Sequence, residues 1–132
     1  FMTSVPGIFA AGNVAVVFDL VDYVSESGEI AAEGAVAYLK GQLPAATAYQ
    51  PVQPAGNVSF VVPQRLRPGG GKVSFFMRVK TPEKTATLRC TGGDETFLEK
   101  KCRYVAPPEM LAFQLENTGE GPLTVDMEEV RE

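Results

Sequence analysis

The sequence predicts a mainly β protein of the α+β class: a short strand and one helix, then an antiparallel β-sandwich of about 6–7 strands. Three observations carry this. Residues Lys72 to Lys80 alternate, with Val73, Phe75, Met77 and Val79 on one side and Ser74, Phe76, Arg78 and Lys80 on the other, which is the period of a strand with one face in a core. Short β-branched and aromatic runs recur over 57–132, separated by turns rich in Gly and Pro. One segment, from Asp19 onward, has helical spacing instead, through Val21, Val24, Gly28, Ala31, Ala32, Ala35, Tyr38 and Leu39.

Taken in order, Val5-Pro6-Gly7 reads as a turn, Ile8 to Ala11 as a short strand covered on both faces, and Gly12-Asn13 as a corner. The helix follows, with Asp19 as its expected N-cap, since a carboxylate there accepts from free first-turn amides; Lys40-Gly41 closes it. Residues 42–56 read as a linker, because Pro44, Pro51 and Pro54 remove backbone donors and restrict the residues before them. Strands are then predicted at Val58 to Val62, Lys72 to Lys80, Thr85 to Thr91, Phe97 to Val105, Glu109 to Leu115 and Leu123 to Val130. Gly92-Gly93-Asp94-Glu95 supplies hairpin chemistry, and Asn117 to Pro122 the turn before the last strand. The organisation is therefore 1–41, a proline-rich linker over 42–56, and a β-sandwich over 57–132.

Composition narrows the function classes. The 132 residues suit one average domain, or part of one joined to a smaller whole one. With 45% hydrophobic and 21% charged residues, the balance is that of a globular protein. A net charge of −4 lacks the basic footprint of a nucleic-acid binder, so no nucleic-acid partner is expected. No apolar run approaches membrane-spanning length and no charged signal-peptide head is present, so no membrane span and a cytoplasmic location are expected. The absence of histidine excludes a His-based triad and a His zinc site.

Cys90 and Cys102 lie on opposite arms of the predicted hairpin. A turn centred between Gly93 and Asp94 sets Cys90 opposite Phe97 and leaves Cys102 several residues further out. Bridging needs Cα atoms within about 7 Å, so two free thiols are expected. Two thiolates without a second ligand pair make no tetrahedral metal site, and no metal is expected. Arg65, Arg67 and Lys72 flank the Gly69-Gly70-Gly71 loop and can recognise an anion, but a solvated loop carries the same residues, which is the preferred reading. Glu99, Lys100, Lys101 and Arg103 read as an exposed strand face. Asp126, Glu128, Glu129 and Glu132 read as a solvated acidic end.

The opening T-S-V-P-G-I-F-A-A-G-N, Thr3 to Asn13, with the Gly- and Ala-rich helix after it, resembles a specific piece of a known family. It is similar to the last strand, corner and helix of the FAD domain in the pyridine nucleotide-disulphide oxidoreductase family, with the pattern T-x-x-P-G-[IV]-[FY]-A-x-G-D. Gly12-Asn13 followed by Asp19-Leu20-Val21-Asp22 and Val24-Ser25 looks most like the branch found alongside glycerol-3-phosphate dehydrogenase-like proteins. Val62-Pro63-Gln64-Arg65 and Pro107-Pro108-Glu109-Met110 resemble motifs in the tail of that branch. The resemblance implies a flavoprotein in which Gly12, Asn13, Leu20 and Val21 bind the cofactor. In the family an acidic residue at the second position hydrogen-bonds the ribityl hydroxyls of FAD. Asn13 keeps an acceptor there and gains a donor. The helix N-terminus, near Leu20 and Val21, would face the pyrimidine edge of the isoalloxazine, where its positive dipole end favours the charge of the reduced ring. Asp19 and Asp22 flank that helix start, and capping explains them.

Two other family parts are absent: no G-x-G-x-x-G occurs to seat a pyrophosphate, and no C-x-x-C occurs for a redox-active disulphide. The resemblance thus implies the C-terminal fragment of an FAD-dependent, NAD(P)-linked oxidoreductase, inactive alone, with FAD held in the full-length parent. Its partners would be the remaining FAD and NAD(P) domains of that parent. Without them, the first strand and the small-residue helix face are expected to pack onto the sandwich, to self-associate with a second copy, or to stay poorly ordered. The alternative is an autonomous β-sandwich that binds a protein or ligand without catalysis, with the N-terminal piece a remnant.

Overall fold

The computed structural model describes residues 1–44, 48–69, 71–117, 119 and 121–131. The protein is mainly β, with one α-helix and eight strands in two sheets among the described residues. It divides into two compact units, Phe1–Thr47 and Ala48–Glu132. No helix of the described residues is long and apolar enough to cross a membrane.

In the first unit the Ile8 N–H donates to the Val5 carbonyl at 3.1 Å. Pro6 and Gly7 (φ 86°) occupy the middle of this turn, as a type II turn asks. Beyond it the pairing is a single bridge between Met2 and Phe9. The strand expected at Ile8 to Ala11 is not formed, and Ile8 is exposed. A strand covered on both faces needs neighbours on both sides, and residues 1–3 offer one short partner. Gly12–Val14 then makes a turn of 3-10 helix.

Helix α1 spans Val21–Leu39. Its N-cap is Leu20, one residue after the expected Asp19, and no side-chain hydrogen bond caps the first turn. The far end closes as a Schellman motif: Gly41 N–H donates to the Tyr38 carbonyl at 3.0 Å and Gln42 N–H to the Ala37 carbonyl at 2.9 Å. The small residues of α1 fall on two faces. One buries Ser27, Ala31 and Ala37 and seats Phe9 on Gly34, where a Cβ would stand 2.8 Å from the ring. Phe9 and Tyr38 meet edge to face at 6.4 Å. The other face, with Gly28, Ala32, Val36 and Leu39, is open to solvent.

The second unit contains β1 (Gln50–Gly56), β2 (Val58–Val62), β3 (Arg65–Leu66), β4 (Gly71–Val79), β5 (Glu83–Gly92), β6 (Glu95–Val105), β7 (Leu111–Asn117) and β8 (Leu123–Glu129). A five-stranded sheet runs β3-β1-β8-β5-β6 and a three-stranded sheet β2-β4-β7. Val58, Val61, Phe75, Met77 and Val79 from the smaller sheet share one core with Leu88, Cys90, Leu123, Val125 and Met127 from the larger. Phe75 stacks on Phe113 with centroids 5.1 Å apart. The alternation expected on β4 places Phe75, Met77 and Val79 in that core, while Phe76 is buried as well.

The proline-rich stretch departs from expectation. From Gln50 it is strand β1, parallel to β8 from Val52 opposite Leu123 to Gly56 opposite Met127. The larger sheet is therefore mixed. Pro54 is tolerated because β3 pairs only with Gln50 and Pro51, which leaves Pro54 at an edge on that side among the described residues. The linker's Ala45, Ala46 and Thr47 lie outside the described residues, as do Gly70, Thr118, Glu120 and Glu132.

The β5–β6 hairpin turns at Gly92 and Glu95 as predicted, but a bulge between Cys90 and Thr91 puts Cys90 opposite Leu98 rather than Phe97. Cys102 stands opposite Ala86, four residues along β5 from Cys90, a separation of about 13 Å. Both thiols are free.

Candidate functional site

The site is built where the 3-10 turn meets α1. Gly12 has φ 63°, a backbone region that glycine enters without Cβ strain. Its N–H donates to Ser27 Oγ at 2.8 Å, and the Ser27 hydroxyl donates in turn to the Val24 carbonyl at 2.6 Å. Ser27 is fully buried. One side chain thus ties the Gly12 amide to the helix and fixes the corner on it. Asn13 is exposed, and its Oδ1 accepts from the Phe18 N–H at 3.3 Å, which closes residues 13–18 into a loop leading to α1. The amide donors of Asn13 have no partner among the described residues. Leu20 and Val21 then open α1 with 53% and 75% of their surfaces exposed.

The structure therefore places Gly12, Asn13, Leu20 and Val21 along one short path, from the pinned turn to the helix start. The acceptor of Asn13 is used by the chain itself, and what it presents outward is a donor. Ser27 was not among the residues expected from the sequence. A lone serine inside a helical pattern carries little signal, and its place between Val24 and Ala31 on the buried face is the one hint. The Ser27 hydroxyl is buried and engaged by the Gly12 amide and the Val24 carbonyl. The corner presents a polar side chain, Asn13, together with the apolar surface of Leu20 and Val21.

Arg65 lies over the Tyr49 ring at 5.1 Å, a cation–π contact. Arg89 on β5 sits between Glu99 of β6 at 3.2 Å and Glu128 of β8 at 3.3 Å, both exposed pairs of small energetic weight. Asp126 corrects the reading of a wholly solvated acidic end: its Oδ1 is buried with no hydrogen-bond partner among the described residues. Burial, and then the neighbouring Glu128 carboxylate, push its pKa up. Burial pushes the Cys90 thiol up to about 12 and raises Cys102 as well, so neither is a ready thiolate. Among the described residues no group of three or more His, Cys, Asp or Glu side chains is arranged to hold a metal. No protein-family model, no curated protein and no solved structure matches the chain.

Proposed function

We propose that this chain supplies the flavin-facing corner and an accessory β-sandwich of a cytoplasmic FAD-dependent, NAD(P)-linked oxidoreductase of the pyridine nucleotide-disulphide type, and is not catalytic by itself. The observation that carries the reading is the pinned corner. A left-handed Gly12 held by Ser27 sets an exposed Asn13 whose amide donors are unspent. Those donors suit a ribityl hydroxyl, and Gly12 keeps the backbone bare where the cofactor would approach. Leu20 and Val21 offer apolar surface for the ring system at a helix start with no side-chain cap. Bound FAD would supply the electron-transfer chemistry, while these residues bind and orient it.

Surface composition supports the same reading. Among the described residues, nine of the ten large apolar residues that stand exposed lie between Val5 and Leu39, and the tenth, Tyr104, lies in the sandwich. Apolar surface so concentrated fits a face that other domains cover. The sandwich, with its own closed core, would serve assembly; as a second reading, that core also suits a binding module independent of flavin. Reading the gene upstream of Phe1 tests the proposal. A strand followed by G-x-G-x-x-G and a helix is expected there, and a native start at these residues would overturn it.

A further inference from the structure

The solvent face of α1 carries two parallel rows. Asp22, Glu26, Glu29 and Glu33 follow one another at steps of four, three and four, which puts four carboxylates in line along the helix. One residue earlier at each step runs a row without charge: Val21, Ser25, Gly28 and Ala32, continued by Val36 and Leu39. Val21, Val36 and Leu39 are 75%, 50% and 83% exposed. At the middle, Gly28 and Ala32 make the seam shallow, and a Cβ on Gly28 would have no atom within 4 Å. Apolar ends, a hollow centre and one charged flank are the features of a helix that receives another helix closely.

We infer that this face of α1 docks an amphipathic helix of another protein or domain, with a small or apolar seam and a row of Lys or Arg beside it. Charge selects that occupant. In residues 1–44 five acids stand against Lys40 alone, which accounts for the whole net charge of −4. None of the four carboxylates of the row has a salt-bridge partner among the described residues. A second copy of the chain does not fit, because an antiparallel two-fold pairing would set acidic flank against acidic flank and this unit has one lysine to offer. An anionic membrane surface is repelled by the same row. The inference shares Val21 with the flavin reading but otherwise rests on other residues, from Asp22 to Leu39, and its test needs no cofactor.

Titration calorimetry of the full chain with two synthetic helical peptides of about twenty residues tests it. Both peptides carry the same Ala/Leu seam; one has lysines along the flank and its twin has glutamates. The lysine peptide is expected to bind at least about tenfold more tightly than the glutamate twin, with the preference shrinking as salt rises from about 50 to 500 mM. The double variant Glu29→Lys/Glu33→Lys, which leaves two acids against two lysines in the row, is expected to erase the preference. Gly28→Leu, which meets open space in the free protein, is expected to abolish binding of both peptides while the helix signal in circular dichroism persists. Failure of the lysine peptide to bind, equal binding of both peptides, or binding untouched by Gly28→Leu would overturn the inference. So would self-association of the chain, seen by light scattering and lost in Val36→Glu.

Discussion

Asp126 is the residue whose surroundings most change its chemistry. It lies on β8 beside Gly56 of β1, whose left-handed backbone (φ 55°) leaves no side chain to hold the carboxylate away. A Cβ at Gly56 would collide with Asp126 Oδ1 and stand 2.8 Å from the Met127 carbonyl oxygen. The charged groups around Asp126 are Glu128 on its own strand and Arg89 across on β5, itself engaged by Glu99; β1 presents no charge. Burial first, then Glu128, raise its pKa in the fold, so the folded protein binds this proton more tightly than the unfolded chain. Its contribution to stability therefore grows as pH falls through the raised value, and at neutral pH the ionised group is unfavourable. Asp126→Asn should stabilise the protein at pH 7 by about 1 kcal/mol, since a neutral amide loses less on burial. That gain should fade at low pH, as the wild-type carboxyl takes up its proton through the raised pKa. Urea unfolding at pH 7 and at low pH checks this; the same gain at both, or a loss at pH 7, contradicts it.

At the scale of elements, α1 separates two glycines that look alike in the sequence. Gly28 faces open space and Gly34 lies under the Phe9 ring. Gly28→Ala should stabilise the helix by about 1 kcal/mol, from propensity alone. Gly34→Ala should lose that gain, because its Cβ would press on the ring at 2.8 Å. Thermal unfolding followed by circular dichroism separates the two, and equal shifts would show that the Phe9 seat is not formed.

Much of the β half was legible because its signals are local. The alternation along β4, the Leu123-Val125-Met127 face of β8 and the Gly93-Asp94 turn each declare themselves within ten residues. Strand β1 was hidden, since Pro51 and Pro54 argue against a strand and its parallel partner β8 comes some seventy residues later. The bulge that shifts Cys90 by one residue is invisible for a similar reason, as no glycine marks it. In the site, Gly12 and Asn13 stood out as a corner, whereas the buried Ser27 tie depends on a contact fifteen residues apart. Ile8 to Ala11 misled because an apolar run states what a segment would bury, not whether a neighbour is there to bury it.

For the whole molecule the asymmetry between the units is the central fact. Residues 48–131 close a core on themselves, with Phe75, Met77, Leu123 and Val125 fully buried. The first unit instead shows most of the exposed large apolar residues, the full net charge and a corner with unspent donors. Such a surface is built for contact, and the flavin and helix-docking proposals assign its two parts. The visible absorption spectrum of the native gene product tests the first of them most directly. A protein purified from its own gene should show the two flavin bands, release FAD on denaturation, and bind it more weakly when Asn13 is replaced by Leu. A product that stays colourless after reconstitution with FAD would contradict the account.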